Sequence, residues 1–382
     1  MTRTTGTYTV TTALGESVRA FVPQPLPPAD PVLASASFVN LNRQAGLALA
    51  RLAGVSGLVP SVEWLLYSAI RKEALLTSQI EGSQATLTDL FNDEAGLKVS
   101  NTDDVEEVTN YLRAFRWVRG QLRDPQGLPI SVRLLCEAHR LLLDGARGAG
   151  KQPGELRRSQ NWIGGTRPGN AMFVPPPPQQ VADLLTDLER FIHAADADLP
   201  PLVRVALIHA QFETIHPFLD GNGRIGRLLI AALMEHWGQL REPLMYLSGY
   251  LKRHQAEYYR RLSAIRTGGD WEGWVSFFLE GVAAACADAE RSIIDVASLI
   301  TADRKRLLES AKAGPISYRL FELLPVMPRF NVEHVRRRLD TTFPTASAAV
   351  KLLEDVGIVG ELTGQKKNRI YSYQAYVELL SR

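Results

Sequence analysis

The sequence predicts a mainly α-helical protein: a helical bundle interrupted by one β-hairpin, followed by a small C-terminal unit of short helices and strands. Three observations carry this. Apolar residues recur at intervals of three and four through most of the chain between Val62 and Ile300. The stretch NWIGGTRPGNAMFVPPPP, Asn161 to Pro178, instead places two β-prone runs around a Gly- and Pro-rich turn. Beyond Ser317, helical patterns give way to Gly-bounded strand patterns. At 382 residues the chain exceeds a single core, and the patterns divide it into regions 1–120, 121–300 and 301–382.

Composition narrows the class. A hydrophobic share of 45% with 22% charged residues excludes a disordered or fibrous chain. MTRTTGTYTVTT at the N-terminus lacks an apolar core of signal-peptide length, and Leu228 to Met234 is too short to span a bilayer. The expectation is a soluble, cytoplasmic protein with no membrane partner. Cys136 and Cys286 each lie in an apolar helical pattern, so neither a disulfide framework nor a thiolate metal cage is available. A net charge of +2 implies no polyanion partner by itself. It is unevenly spread: residues 301–382 hold 14 Lys+Arg against 9 Asp+Glu, a local +5 that leaves −3 on the rest.

Taken in order, Thr7 to Thr11 alternate as a strand would, and the following PQPLPP cannot continue a helix or central strand. Residues 1–35 therefore read as a surface arm. From Val62 to Glu81 the positions Leu65, Leu66, Ala69, Ile70, Ala74, Leu75 and Ile80 share one helical face, and Gly82 marks the stop. Helices are further expected over Val105 to Leu122, Val132 to Leu143 and Val181 to Ala195. Leu202 to Ile215 is apolar on nearly every side, as befits a helix buried within a bundle. Later helical patterns cover Leu228 to Trp237, Tyr250 to Ile265, and Trp271 to Ala285 onward to Ile300.

Between two of these helices lies HPFLDGNGRIGR, His216 to Arg227. Its GNGRIG fits the dinucleotide fingerprint, but a helix precedes it where that fold needs a strand, and no Lys-Ser/Thr follows as in a P-loop. The loop still suits phosphate. Gly221 and Gly223 leave backbone N–H groups uncovered at a helix N-terminus, where the dipole favours anions. Arg224 and Arg227, three apart, share a helix face and can grip phosphate oxygens as forks. Asp220 would repel phosphate unless a cation bridged them, and Mg²⁺ prefers a carboxylate plus substrate phosphates. His216 supplies a group able to accept a proton near neutral pH. Together these parts describe transfer of a phosphate-containing group to a protic nucleophile.

HPFLDGNGRIGR resembles the complete signature of Fic domain enzymes. The resemblance extends from PLPP through FVPPPP and YLSGYLKRHQAEYY to GDWEGWVSFFLEG. It implies a Fic helical bundle with a β-hairpin flap, and transfer of AMP from ATP to a Ser, Thr or Tyr hydroxyl of a protein, the chain itself included. On that resemblance His216 deprotonates the acceptor, Asp220 holds Mg²⁺, Gly221, Asn222 and Gly223 cradle phosphate oxygens, and Arg224 and Arg227 bind the outer phosphates. Phe218 anchors the loop in the core. Gly223, where some members carry lysine, favours AMP transfer over phosphorylation, while transfer of phosphocholine or another nucleotide stays open.

TSQIEG, Thr77 to Gly82, resembles the family's inhibitory motif. The resemblance implies that Glu81 reaches Arg227 and occupies the place of the γ-phosphate, a carboxylate competing with a phosphate for one guanidinium. In some relatives the same glutamate supports removal of AMP, and the sequence leaves that open. Residues 162–174 resemble the flap along which an extended target segment adds as a strand. Tyr258 and Tyr259 resemble the pair bordering the adenine pocket. His209, Glu213 and His216 are spaced as metal ligands could be, yet His209 falls in an all-round apolar helix and reads as a packed, hydrogen-bonded histidine, so no transition metal is expected.

From Ser317 the order is helix (Tyr318 to Leu324), helix (Val332 to Leu339), a turn at TTFPT, helix (Ala346 to Val356) with Thr345 as N-cap, then strands Ile358 to Leu362 and Arg369 to Tyr373. This resembles a winged helix-turn-helix with GQKKNR as its wing. A basic wing suits DNA phosphates, but TASAAV offers no Arg, Asn or Gln for base edges. Partners through this unit are thus DNA or a protein, and a homodimer is compatible with it. Two readings follow: a self-inhibited protein adenylyltransferase, or a DNA-binding regulator whose Fic core only binds nucleotide.

Overall fold

The computed structural model describes residues 3–31, 33, 38–145, 149–194 and 199–381. Residues 1, 2, 32, 34 and 35 of the expected arm, Ala195 at an expected helix end, and Arg382 lie outside the described residues. The arm's alternating run is one half of a hairpin: β1 (Gly6–Ala13) pairs antiparallel with β2 (Glu16–Pro23) in a register from Gly6↔Pro23 to Ala13↔Glu16. Leu14 and Gly15 turn the chain with φ of 47° and 81°, the positive pair that matches the strand twist. The proline passage is tied to the bundle, since Gln211 Nε2 donates to the Gln24 carbonyl at 2.9 Å.

Helices follow in chain order: α1 (Val39–Val55), α2 (Val62–Ile80), α3 (Leu87–Glu94), α4 (Thr102–Arg123), α5 (Val132–Leu142), α6 (Pro178–His193), α7 (Pro201–Ile215), α8 (Asn222–His236), α9 (Leu247–Arg253), α10 (Gln255–Gly268) and α11 (Trp271–Leu308). The protein is mainly helical. In the middle sits α7, whose residues from Leu202 to Ile215 are buried except Arg204, as its all-round apolar pattern required. Two of these eleven helices had no expectation. The first, α1, is rich in Ala and Gly and packs along α11; α3 is short and rests on a Thr86–Asp89 capping box. Among the described residues no helix is long and apolar enough to cross a membrane.

The C-terminal unit contains α12 (Pro315–Leu323), β3 (Arg329–Asn331), α13 (Val332–Arg338), α14 (Phe343–Asp355), β4 (Gly360–Glu361), β5 (Ile370–Ser372) and α15 (Gln374–Ser381). Its strands form an antiparallel sheet in the order β3-β5-β4. One expectation is corrected here: the N-cap of α14 is Thr342, not Thr345, and TTFPT is the helix's first turn rather than a separate one. Pro344 explains the difference, because proline near a helix start loses no hydrogen bond and arrives with helical φ. The expected boundary at 300/301 falls inside the 38-residue helix α11. Buried Asp303 near its end accepts from Tyr373 Oη at 2.6 Å, and α15 packs on α3 and α11.

The expected hairpin at Trp162 to Val174 is reduced to a single bridge, Ile163↔Phe173. Gly164 and Gly165 sit at φ of 68° and 73°, and Pro168 opens a 3₁₀ turn, so the chain leaves the ladder after one pair.

Candidate active site

Helix α7 ends at His216, held in a left-handed conformation (φ 51°, ψ 61°) with its N–H donating to the Phe212 carbonyl at 2.9 Å. That conformation is uncommon for a non-glycine residue and turns the chain sharply into the loop. Gly221, at φ 75°, then caps the N-terminus of α8. Between them the loop is stapled by its own residues. Asn222 Oδ1 accepts from the Phe218 N–H and its Nδ2 donates to the Phe218 carbonyl, both at 2.8 Å. Asn222 therefore spends its side chain on the loop, and only its backbone N–H is left for a cradle. Phe218 is buried and stacks on His139, ring centroids 3.9 Å apart.

His139 closes the loop from α5. Its Nδ1 accepts from the Gly154 N–H at 2.9 Å, so Nε2 carries the proton and donates to the Asp220 carbonyl at 3.0 Å. Burial pushes its pKa down to about 4 and keeps it neutral. Arg157, buried, donates from Nε to the His216 carbonyl at 2.9 Å and from Nη2 to the Pro176 carbonyl at 2.5 Å. It thus ties the loop to the base of the flap. Asn161 Nδ2 adds a bond to the Phe218 carbonyl at 3.1 Å. None of His139, Arg157 and Asn161 was anticipated, because each acts on a partner more than 50 positions away and shows no local pattern.

His216 has its pKa pushed down to about 3, by burial first and by Arg266 and Arg157 next. Burial thus keeps the imidazole neutral, and since Nδ1 is buried without a partner, Nε2 is the edge left to face the site. Arg266 reaches the same place from α10: it donates to the Glu213 carbonyl and to Thr214 Oγ1, each at 3.2 Å, and lies 3.8 Å over the Phe173 ring of the flap. Glu213, also buried, has its carboxyl raised to about 7 by the desolvation.

Two guanidinium groups project from α8. Arg224 is buried between Asp220 and Glu107, each 3.6 Å away. Arg227 is buried and held from α2: Nε donates to Thr77 Oγ1 at 2.6 Å, and Nη2 to the Thr77 carbonyl at 3.1 Å and to Glu81 Oε1 at 2.5 Å. Burial opposes its charge, but Glu81, Tyr258 and Glu213 more than offset that and raise its pKa above the ordinary value. Glu81 itself caps α2, followed by Gly82 at φ 101°. Gly223 admits this contact, since a β-carbon there would collide with the Glu81 carboxylate and crowd Arg227.

The remaining candidates separate. His209 is a hydrogen-bonded core histidine: Nδ1 faces the Gly226 carbonyl at 3.1 Å and Nε2 the Tyr258 hydroxyl at 2.8 Å. Tyr258 is buried by that bond while Tyr259 is half-exposed, their rings 5.2 Å apart. Asp220 Oδ1 accepts from the Gly221 N–H at 2.6 Å. Among the described residues no group of three or more His, Cys, Asp or Glu gathers. A single carboxylate beside bare helix N–H groups fits a Mg²⁺ shared with a nucleotide rather than one caged by protein.

Two regions of the chain match family models of known proteins. Residues 39–118 match the Fic/DOC family N-terminal model and residues 129–234 the Fic/DOC family model. Proteins named "Protein adenylyltransferase Fic" from Drosophila ananassae and Drosophila melanogaster are each 28% identical, covering 53% of this chain and 38% of their own length. The chain thus spans well under half the length of the curated relatives it matches. A Fic family protein from Desulfovibrio desulfuricans superposes with a TM-score of 0.56 at 21% identity, covering 91% of this chain and 98% of its own. A Fic-domain-containing signaling protein from Bacteroides thetaiotaomicron gives 0.52 at 20%, covering 64% of this chain and 96% of its own. These two likenesses speak to fold.

Proposed function

We propose, from the premise that the chain belongs to the Fic/DOC family, that it is a self-inhibited protein adenylyltransferase moving AMP from ATP to a protein hydroxyl. One observation carries the reading. A neutral imidazole, a carboxylate, a glycine-opened helix N-terminus and two buried arginines share one loop, and the second arginine is already taken by a carboxylate from another helix. In this reading His216 Nε2 takes the proton of the acceptor hydroxyl, whose oxygen bonds to the α-phosphorus as the bond to the β-phosphate oxygen breaks and pyrophosphate leaves. The N–H groups at the start of α8 orient phosphate oxygens. Arg224 and Arg227 bind the outer phosphates. Asp220 would hold Mg²⁺, which supplies charge neutralisation on the phosphates when bound.

Glu81 is the brake. Its carboxylate satisfies the guanidinium that a γ-phosphate needs, so a nucleotide enters in a pose unsuited to in-line attack until Glu81 leaves. The flap, anchored through Arg157 and Arg266, offers the short edge beside Ile163 and Phe173 to the target segment. Half-exposed Tyr259, backed by buried Tyr258, would border the adenine side.

The chemistry is tested with the Glu81→Gly chain and Mg²⁺-ATP labelled either at the α- or at the γ-phosphorus. Label should remain on protein from the α-position alone and fall by at least about a hundredfold in Glu81→Gly/His216→Ala, the scale of losing a general base. Retention of γ-label, or undiminished labelling without His216, would refute adenylyl transfer by this histidine.

A further inference from the structure

A second cationic cleft lies away from the loop, between α2 and the C-terminal unit. Its volume is about 520 Å³, within the range of small-molecule sites. One wall is α2 with Tyr67 and Arg71; the other runs from Val326 to Arg329 and along α13 with His334, Arg337 and Arg338. Four arginines line it (Arg71, Arg329, Arg337 and Arg338) against one carboxylate, Glu94, a surplus of three positive charges with His334 neutral.

Glu94 is spent on Arg71, which grips its Oε1 from Nε at 3.0 Å and Nη2 at 2.7 Å. Glu333, outside the lining, pairs with Arg337 at 2.8 Å. That leaves Arg329 and Arg338, for which no carboxylate lies within 4.0 Å among the described residues. Arg329 is the informative one. It donates to Asn92 Oδ1, its Nε is buried without a hydrogen-bond partner, and burial lowers its pKa against the weaker opposing pull of Asp89. A half-buried guanidinium with donors unspent is costly unless an anion answers it. The floor is flat and apolar, with Tyr67 and Phe91 stacked at 6.1 Å and the Arg71 guanidinium 3.3 Å over Tyr67.

We propose that this cleft binds a phosphate-bearing small molecule, whose oxygens match the guanidinium forks. The ligand would clamp the C-terminal unit to the helix that ends in Thr77 and Glu81, so that its occupancy bears on how readily Glu81 leaves Arg227. This consequence rests on the reading of Glu81 as a brake; the binding itself does not. Because the walls come from two parts of the chain and enclose a recess, a compact anion suits it better than a rod of duplex DNA.

Inorganic pyrophosphate is the probe, titrated into the full chain by calorimetry, with amide hydrogen exchange locating it. Saturable binding should protect α2 around Tyr67 to Arg71 together with Val326 to Arg338. It should weaken at least about tenfold in Arg329→Gln, the loss of one charge-assisted contact, and in Arg337→Gln/Arg338→Gln, whose exposed side chains leave the fold intact. Arg224→Gln in the catalytic loop should leave that protection unchanged, which keeps the result independent of transfer chemistry. The proposal is overturned by protection confined to residues 216–227, by unchanged affinity in the cleft variants, or by no saturable binding. It is equally overturned if duplex DNA protects these segments where pyrophosphate does not.

Discussion

The loop from His216 to Arg227 and the flap are linked through Arg157, and they are held in different ways. From His216 to Arg227 the loop is tied from several elements, with Asn222 stapling Phe218, His139 holding the Asp220 carbonyl, Arg157 the His216 carbonyl, and Thr77 and Glu81 holding Arg227, while His216 Nδ1 and Arg224 Nε are buried without a partner. The flap has one β-bridge and an exposed Met172 (88%), and its ties lie mostly near the surface: Asn170 holds the Thr166 and Arg167 N–H groups, Arg167 pairs with Glu16, Arg266 lies over Phe173, and Phe21 N–H donates to the Val174 carbonyl. Phosphoryl chemistry relies on positioning and charge, which rewards a preorganised loop. Recognition of an extended chain uses backbone groups that a sparse edge leaves available.

If that contrast is sound, unpicking the loop costs stability and unpicking the flap does not. Asn222→Ala leaves the buried Phe218 N–H unsatisfied and should cost about 2 kcal/mol, read as a lower denaturant midpoint with an unchanged slope. Acid should act on the same side of the comparison. His139, His209 and His216 have pKa values pushed down to about 4, 3 and 3 from 6.5, so the unfolded chain binds protons that the folded chain does not. Stability from these groups is complete above pH 6.5 and is lost as pH falls towards 4. Glu213, raised to about 7, titrates in the opposite sense over this range, so it is in a Glu213→Gln chain that a flat unfolding midpoint between pH 7 and pH 4.5 would show that these histidines are not held neutral.

Thr77→Val sharpens the contrast from the α2 side. It removes the acceptor of Arg227 Nε, a bond to a charged group, and should loosen the brake by about tenfold, seen as faster transfer in a chain that keeps Glu81. The smallest effect belongs to Phe173→Ala. Losing a cation–π contact of about 1 kcal/mol should speed hydrogen exchange over residues 161–176 while leaving the loop and the unfolding midpoint nearly unchanged.

The same contrast explains what could be read from sequence. HPFLDGNGRIGR carries its parts in twelve consecutive letters, and α7 announces its burial by being apolar all round, so the loop and the bundle around it were legible. Glu81 was reachable because TSQIEG is also contiguous and sits at a helix stop. What supports the loop was not. Arg157 lies in the polar run KQPGELRRSQ, indistinguishable from a solvated segment, and only folding brings it against the His216 carbonyl. His139 and Arg266 look like ordinary residues of amphipathic helices. The side chain of Asn222 reaches back to Phe218, a bond invisible in spacing, and leaves its backbone N–H for the expected cradle. Strand β2 was missed because VRAFV does not alternate cleanly, and α1 because its Ala- and Gly-rich face is weakly apolar.

In the proposed reading the Glu81 carboxylate, paired with Arg227, stands where a phosphate would bind. Intact-mass spectrometry of the wild-type and Glu81→Gly chains, incubated side by side with Mg²⁺ and ATP, tests this most directly. An AMP adduct on Glu81→Gly exceeding that on wild type by about tenfold or more is predicted, as expected when a charged competitor is removed from one guanidinium. Equal adducts on the two chains, or more on wild type, would contradict it.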